Sequence, residues 1–168
     1  MRALAAVLLG TIVLVSHADV YLEPDAFVAQ AFGGDPPAPQ ALWLDGATRD
    51  ALEHVLGHPP ATLRVRYWAR DGRSVWVLEE IGKEEPITTG VVIEGGAIAE
   101  IRVLIYRESR GWEVRYPFFT DQFRSLQLTP ELRLTRHIDG ITGATLSVRA
   151  LTRIARAALL LDRATAHG

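Results

Sequence analysis

Apolar and polar positions change period several times along the chain, and the changes mark its elements. Phe27, Val28 and Ala31 share a face within a short helix predicted over Glu23 to Phe32, and the breaker-rich GGDPPAP run from Gly33 to Pro39 follows it. Leu52, Val55 and Leu56 recur at helical spacing between Thr48 and Leu56, where Gly57 and Pro59-Pro60 stop the helix. From Leu63 to Arg70 the period falls to two: Leu63, Val65 and Tyr67 alternate with Arg64 and Arg66, as in a half-buried strand. Asp71-Gly72 is a hairpin signal, with Ser74 to Glu80 as the returning strand. Ile87 to Ile93, a Glu94-Gly95-Gly96 turn and Ala97 to Tyr106 form a second hairpin. The chain ends in an amphipathic helix over Thr145 to Arg163, with Ser147, Leu151, Ile154, Ala158 and Leu161 on one face. Arg149, Arg153, Arg156 and Arg163 lie on another face, expected to be solvated. The fold class is α+β: a small antiparallel sheet of about four strands packed with helices.

Residues Met1 to Ala18 break this pattern. Arg2, an apolar run from Ala3 to Val15, and Ser16-His17-Ala18 as a small-residue cleavage site read as a secretory signal peptide. The run is shorter than the roughly 18–20 apolar residues a bilayer span needs, so an uncleaved anchor is the second reading. The expected organisation is a signal over 1–18 and one domain over 19–168, placed in the periplasm or otherwise outside the cytoplasm, and membrane-tethered if the signal stays.

Composition narrows the chemistry. The formal charge of -2 leaves no basic surplus for a nucleic-acid partner. With no cysteine in the chain, disulfides, cysteine-held iron–sulfur clusters and thioether haem are excluded, so a redox role would need an organic cofactor or a metal on nitrogen and oxygen ligands. His54 and His58 are four apart but lack a third ligand, and Glu79, Glu80, Glu84 and Glu85 read as a solvated acidic turn, so no metal site is assigned. No serine–histidine–aspartate set stands out, and no catalytic residue is assigned.

The most informative stretch is Asp139-Gly140-Ile141-Thr142-Gly143-Ala144-Thr145-Leu146-Ser147. Small residues feed straight into the final helix, a junction whose free N–H groups and dipole favour a phosphate. On its residues alone it reads first as a plain helix start capped by Asp139, Thr142 or Thr145. The segment resembles the flavinylation motif of the FMN-binding domain family. That family includes the flavin-bearing C subunit of the sodium-pumping NADH:quinone oxidoreductase and its counterpart in the Rnf complex, and the chain is most similar to single-domain exported members. Asp139, Gly140, Thr142, Gly143, Ala144, Thr145 and Ser147 match the motif. Gly90 to Ile93 and Val103 to Ser109, with Gly111 behind, resemble the family's paired strands ending in a Glu-Ser element.

The resemblance implies FMN as cofactor and a phosphoester to Thr145 made by a flavin transferase. It also implies flavin contacts from Asp139 through Thr145, Ile141 included, and from Glu108 and Ser109. Trp112 is a candidate to lie against the flavin. The function implied is electron carriage between membrane or periplasmic redox partners, with no chemistry of its own. The alternatives are a reductase of a small substrate, with Glu108 as proton donor, and a flavin-binding module without electron flux.

Overall fold

The computed structural model describes residues 18–165, so the signal-peptide reading of Met1 to Ala18 falls, but for Ala18, outside the described residues. The elements are β1 (Asp19–Val20), α1 (Pro24–Ala31), β2 (Gln40–Trp43), α2 (Gly46–Leu56), β3 (Arg64–Arg70), β4 (Arg73–Ile81), β5 (Pro86–Glu94), β6 (Ala97–Tyr106), α3 (Pro117–Thr120) and α4 (Thr145–Thr165). The α+β class holds, but the sheet has six strands in the order β1-β6-β5-β4-β3-β2, every pair antiparallel. The expectation of about four strands is corrected at both edges. β1 contributes only Asp19 opposite Tyr106 and Val20 opposite Ile105. β2 lays Gln40 to Trp43 along Arg64 to Tyr67 but buries no residue fully. An edge strand with no buried face has no alternation to betray it.

Both anticipated hairpins have the backbone their glycines imply. Asp71 and Gly72 sit at φ 52° and 76°, and Gly95 and Gly96 at 56° and 77°. Positive φ at both central residues is what a two-residue turn matched to the sheet's twist requires.

β5 lies mid-sheet and is buried on both faces, which fits its unbroken apolar and small-residue run. One face carries Trp76, Val91 and Ile93 against the buried stripe of α4 and against Leu52 and Val55 of α2. The other carries Val75, Val92 and Leu104 against Phe27 and Val28 of α1. Gly90 makes the second layer possible, because a Cβ there would overlap the Phe27 ring. Asp45 caps α2 by accepting the Thr48 N–H at 2.7 Å, and Gly57, at φ 79°, ends it.

Two surface readings change. The arginines of α4 are mostly tied down: Arg153 donates to Glu80 Oε1 at 3.1 Å, Arg156 Nε to the Leu132 carbonyl at 2.7 Å, and Arg163 to the Leu128 carbonyl at 2.6 Å. Glu80, one of the supposedly solvated acids, is only 4% exposed. It takes Arg153 from α4 and His58, whose Nε2 lies 3.0 Å from both its oxygens. Among the described residues no cluster of three acids or histidines suits a metal, and no helix is long and apolar enough to cross a membrane.

Candidate functional site

The site forms where β6 ends beneath the start of α4. Tyr106, the last residue of β6, is 1% exposed, and burial pushes its phenol pKa up. Its hydroxyl donates to the Arg110 carbonyl, so the Ser147 hydroxyl, 2.8 Å away, is the donor in their contact. Gly111 packs against both at φ 88°, and a Cβ there would stand 2.5 Å from Ser147 Oγ and 2.9 Å from the Tyr106 oxygen. These contacts pin the 107–111 loop to the first turn of α4.

Glu108 fixes the opposite wall. Its Oε1 accepts the backbone N–H groups of Lys83, Glu84 (2.6 Å) and Glu85 (3.0 Å), closing the turn between β4 and β5. Gly82 allows this approach, since a Cβ on it would meet the same oxygen at 2.9 Å. Partial burial opposes the charge on Glu108, but the three N–H groups outweigh it and hold the carboxyl below its ordinary range. Glu108 is therefore an ionised clamp for a turn and has no proton to give at neutral pH.

The flavinylation-like loop arrives from the far side. Gln122 holds Asp139 through its backbone, accepting the N–H at 2.8 Å and donating to the carbonyl at 3.4 Å. The Asp139 carboxylate is exposed and makes no hydrogen bond among the described residues. Ile141 to Ala144 then form a turn in which the Ala144 N–H reaches the Ile141 carbonyl at 3.0 Å, and Gly143 takes φ 83°. Positive φ at the third position is the demand of a type II turn, met without strain by glycine.

The turn delivers Ala144 as the N-cap of α4: its carbonyl accepts the first helical bond, from Val148 N–H at 2.9 Å. An alanine cap has no oxygen to offer the next N–H groups. None of Asp139, Thr142 or Thr145 takes that role, and among the described residues nothing accepts from the N–H groups of Leu146 or Ser147. The capped-helix reading is overturned by this geometry. Thr145 is exposed beside those free donors, while Ala144 and Ser147 are buried.

Between the two walls lies an open cleft of about 510 Å³ lined by Lys83, Glu108, Ser109, Arg110 and the Gly143–Ser147 segment. Of the residues singled out in the sequence, Gly143, Ala144, Thr145, Glu108 and Ser109 meet here; Asp139 and Gly140 on the approach to the turn, and Ile141 and Thr142 within it, lie outside the lining. Lys83, Arg110 and Leu146 were not anticipated. Arg110 adjoins Ser109 and could have been inferred from an anion's need for a cation. Lys83 could not, because only the Glu108 clamp brings it 25 positions back along the chain. Trp112 is 42% exposed and directly follows Gly111, in a short turn packed on α4.

This lining suits a phosphorylated aromatic cofactor. Free helix N–H groups and two cations are suited to a phosphate, a hydroxyl stands beside them, Gly143 admits close approach, and Leu146 offers apolar surface. No curated protein and no solved structure matches the chain. Residues 82–160 match the model of the FMN-binding domain family, a span that opens at the turn clamped by Glu108, takes in the whole cleft and ends within α4. Residues 82–160 are thus an FMN-binding domain, and FMN is the cofactor it takes.

Proposed function

We propose that the protein is an exported electron carrier that holds FMN through a phosphoester to Thr145. The observation that carries the reading is the exposed Thr145 hydroxyl on an uncapped helix N-terminus, inside the cleft of the matched domain. Bound there, FMN supplies a site that accepts and releases electrons one or two at a time. The chain's own contribution is binding and placement. The N–H groups of Leu146 and Ser147, with Lys83 and Arg110, neutralise phosphate charge, and the Tyr106–Ser147 contact keeps the cleft from closing or splaying.

Attachment requires a flavin transferase as partner. The bond formed joins Thr145 Oγ1 to the FMN phosphorus, the bond broken is the pyrophosphate of FAD, and AMP leaves. The exposed, unpaired carboxylate of Asp139, on a backbone clamped by Gln122, supports a part for it in that enzyme's metal-assisted step. Flavinylation of Asp139→Ala at the wild-type rate would remove this role. The signal-like sequence over 1–18 supports export to the periplasm, where a covalent bond retains a cofactor that could not be replaced from the cytoplasm.

The clamp on Glu108 counts against a reductase that uses this residue as its acid, and no other buried acid faces the cleft among the described residues. The deciding test is intact mass with and without a co-expressed flavin transferase. The expected result is a gain of one FMN less water, only with the transferase, and none in Thr145→Ala. No gain under any condition would end the covalent reading and leave reversible FMN binding.

A further inference from the structure

A second cleft, of about 880 Å³, lies between α2, the 131–138 loop and the flank of α4. Three arginines, Arg133, Arg136 and Arg156, and two histidines, His54 and His137, line it against one carboxylate, Glu131. In a protein with net charge -2 this is a local excess of positive charge.

The arrangement is held against two opposing forces. Leu132 sits at φ 59°, a left-handed conformation a branched side chain resists. The loop around it is pinned by Thr129 N–H to the Arg133 carbonyl at 2.7 Å and by Leu132 N–H to the Thr129 carbonyl at 3.0 Å. Held this way, the Leu132 carbonyl receives Arg156 Nε and Arg133 stands beside Arg156. The second force is charge: burial, Arg133 and Arg153 all lower the pKa of Arg156, so its environment works against its own cation. Glu131 does not relieve this pairwise repulsion alone, because it also engages its own backbone and Thr129. Among the described residues the Arg133 guanidinium forms no hydrogen bond or ion pair, and the terminal nitrogens of Arg156 are likewise unbonded.

From this geometry we infer a second ligand site, in which Arg133 and Arg156 together bind an oxyanion carrying two or more negative charges. Two forked guanidiniums with free N–H groups match paired carboxylate or phosphate oxygens. The bound charge removes the repulsion that the loop otherwise has to hold. Arg136 is half committed, donating to the Gln122 carbonyl at 2.8 Å, and that same Gln122 clamps Asp139. The chemistry required is shared by a phosphate monoester and by a di- or tricarboxylate. The site is distinct from the Thr145 cleft, with which it has no lining residue in common, so its existence does not rest on the reading of FMN attachment.

Calorimetric titration of the purified protein with inorganic phosphate and, separately, with citrate tests the inference, each at ionic strength matched with sodium chloride. One saturable site is expected for at least one anion, and which one binds tells phosphate-type from carboxylate-type ligands. Arg133→Gln should weaken it roughly tenfold or more, the loss of one charge-assisted contact. Arg49→Gln, which removes an equal charge from the exposed side of α2, should leave it unchanged, and Glu131→Gln should tighten it. Arg133 makes no side-chain bond, so its variant is expected to fold, which a melting curve checks. The inference is overturned if neither anion binds beyond the chloride control, or if Arg133→Gln and Arg49→Gln weaken binding equally.

Discussion

The first turn of α4 and the body of the same helix are built on opposite terms. Ala150, Leu151, Ile154, Ala155 and Ala158 are at most 1% exposed, and the arginines between them are anchored to Glu80 and to loop carbonyls. The first turn has an alanine for a cap, an exposed Thr145 and Leu146, and donors without acceptors. Helix stability in a folded domain comes mainly from tertiary packing, so a long buried body lets one terminal turn stay chemically open. The unfinished turn is where a ligand can add what the chain omits. Changes in the body should therefore act on stability, and changes in the turn on cofactor loading.

The largest effect expected from that division is at Leu151, fully buried under the helix. Leu151→Ala should cost about 2–5 kcal/mol in urea unfolding, since it opens a cavity where the sheet cannot follow. Thr145→Ala should stay within about 0.5 kcal/mol of wild type, while losing all covalent flavin. Equal destabilisation by the two would erase the distinction.

Gly111→Ala lies at the seam between the regions. Its φ of 88° and the 2.5 Å approach to Ser147 Oγ should together cost about 1–3 kcal/mol. The same change displaces the Tyr106–Ser147 contact, so flavin loading should fall as well. An intact loading rate in a destabilised variant would show that the contact serves the fold alone.

A smaller effect, with the opposite sign on stability, is expected at Ala144. Serine there supplies the missing cap oxygen, and the helix should gain about 0.5–2 kcal/mol. That oxygen would then compete with phosphate for the same N–H groups, slowing flavinylation. A variant both more stable and more quickly loaded would mean the free donors do not serve the phosphate.

These regions were unequally legible in the sequence. The body of α4 and strands β3 to β6 announced themselves because buried positions such as Val65, Trp76 and Leu151 recur at the period of their element. β2 could not, since Gln40 to Trp43 are held by backbone pairing and by contacts such as Tyr67 donating to Gln40 Oε1, which leave no periodic trace. The motif over 139–147 pointed to one border of the cleft, while the Lys83 wall depends on a carboxylate bound to three amides of a distant turn. The burial of Glu80 was hidden for a like reason, its partners His58 and Arg153 lying 22 and 73 positions away.

The His58–Glu80 pair yields the smallest effect and the one most specific in pH. His58 Nδ1 faces the Pro59 carbonyl at 2.9 Å and Nε2 faces the Glu80 carboxylate, both pure acceptors, so this geometry favours the doubly protonated ring. The Pro59 carbonyl and then Glu80 raise its pKa above the ordinary 6.5, against partial desolvation. A group with a raised folded pKa adds stability that is full below 6.5 and is lost as pH climbs through the folded value. Glu108, the clamp of the turn between β4 and β5, runs the other way. Its depressed pKa adds stability above the ordinary 4.5 that is lost as pH falls through the folded value. Urea midpoints should thus sag at both ends of a pH series, with His58→Gln flattening only the alkaline side. The effect is modest, because the His58 side chain is 46% exposed and Glu80 keeps Arg153 when the imidazole is neutral. An alkaline slope unchanged in His58→Gln would show that the ring's second proton contributes nothing to the fold.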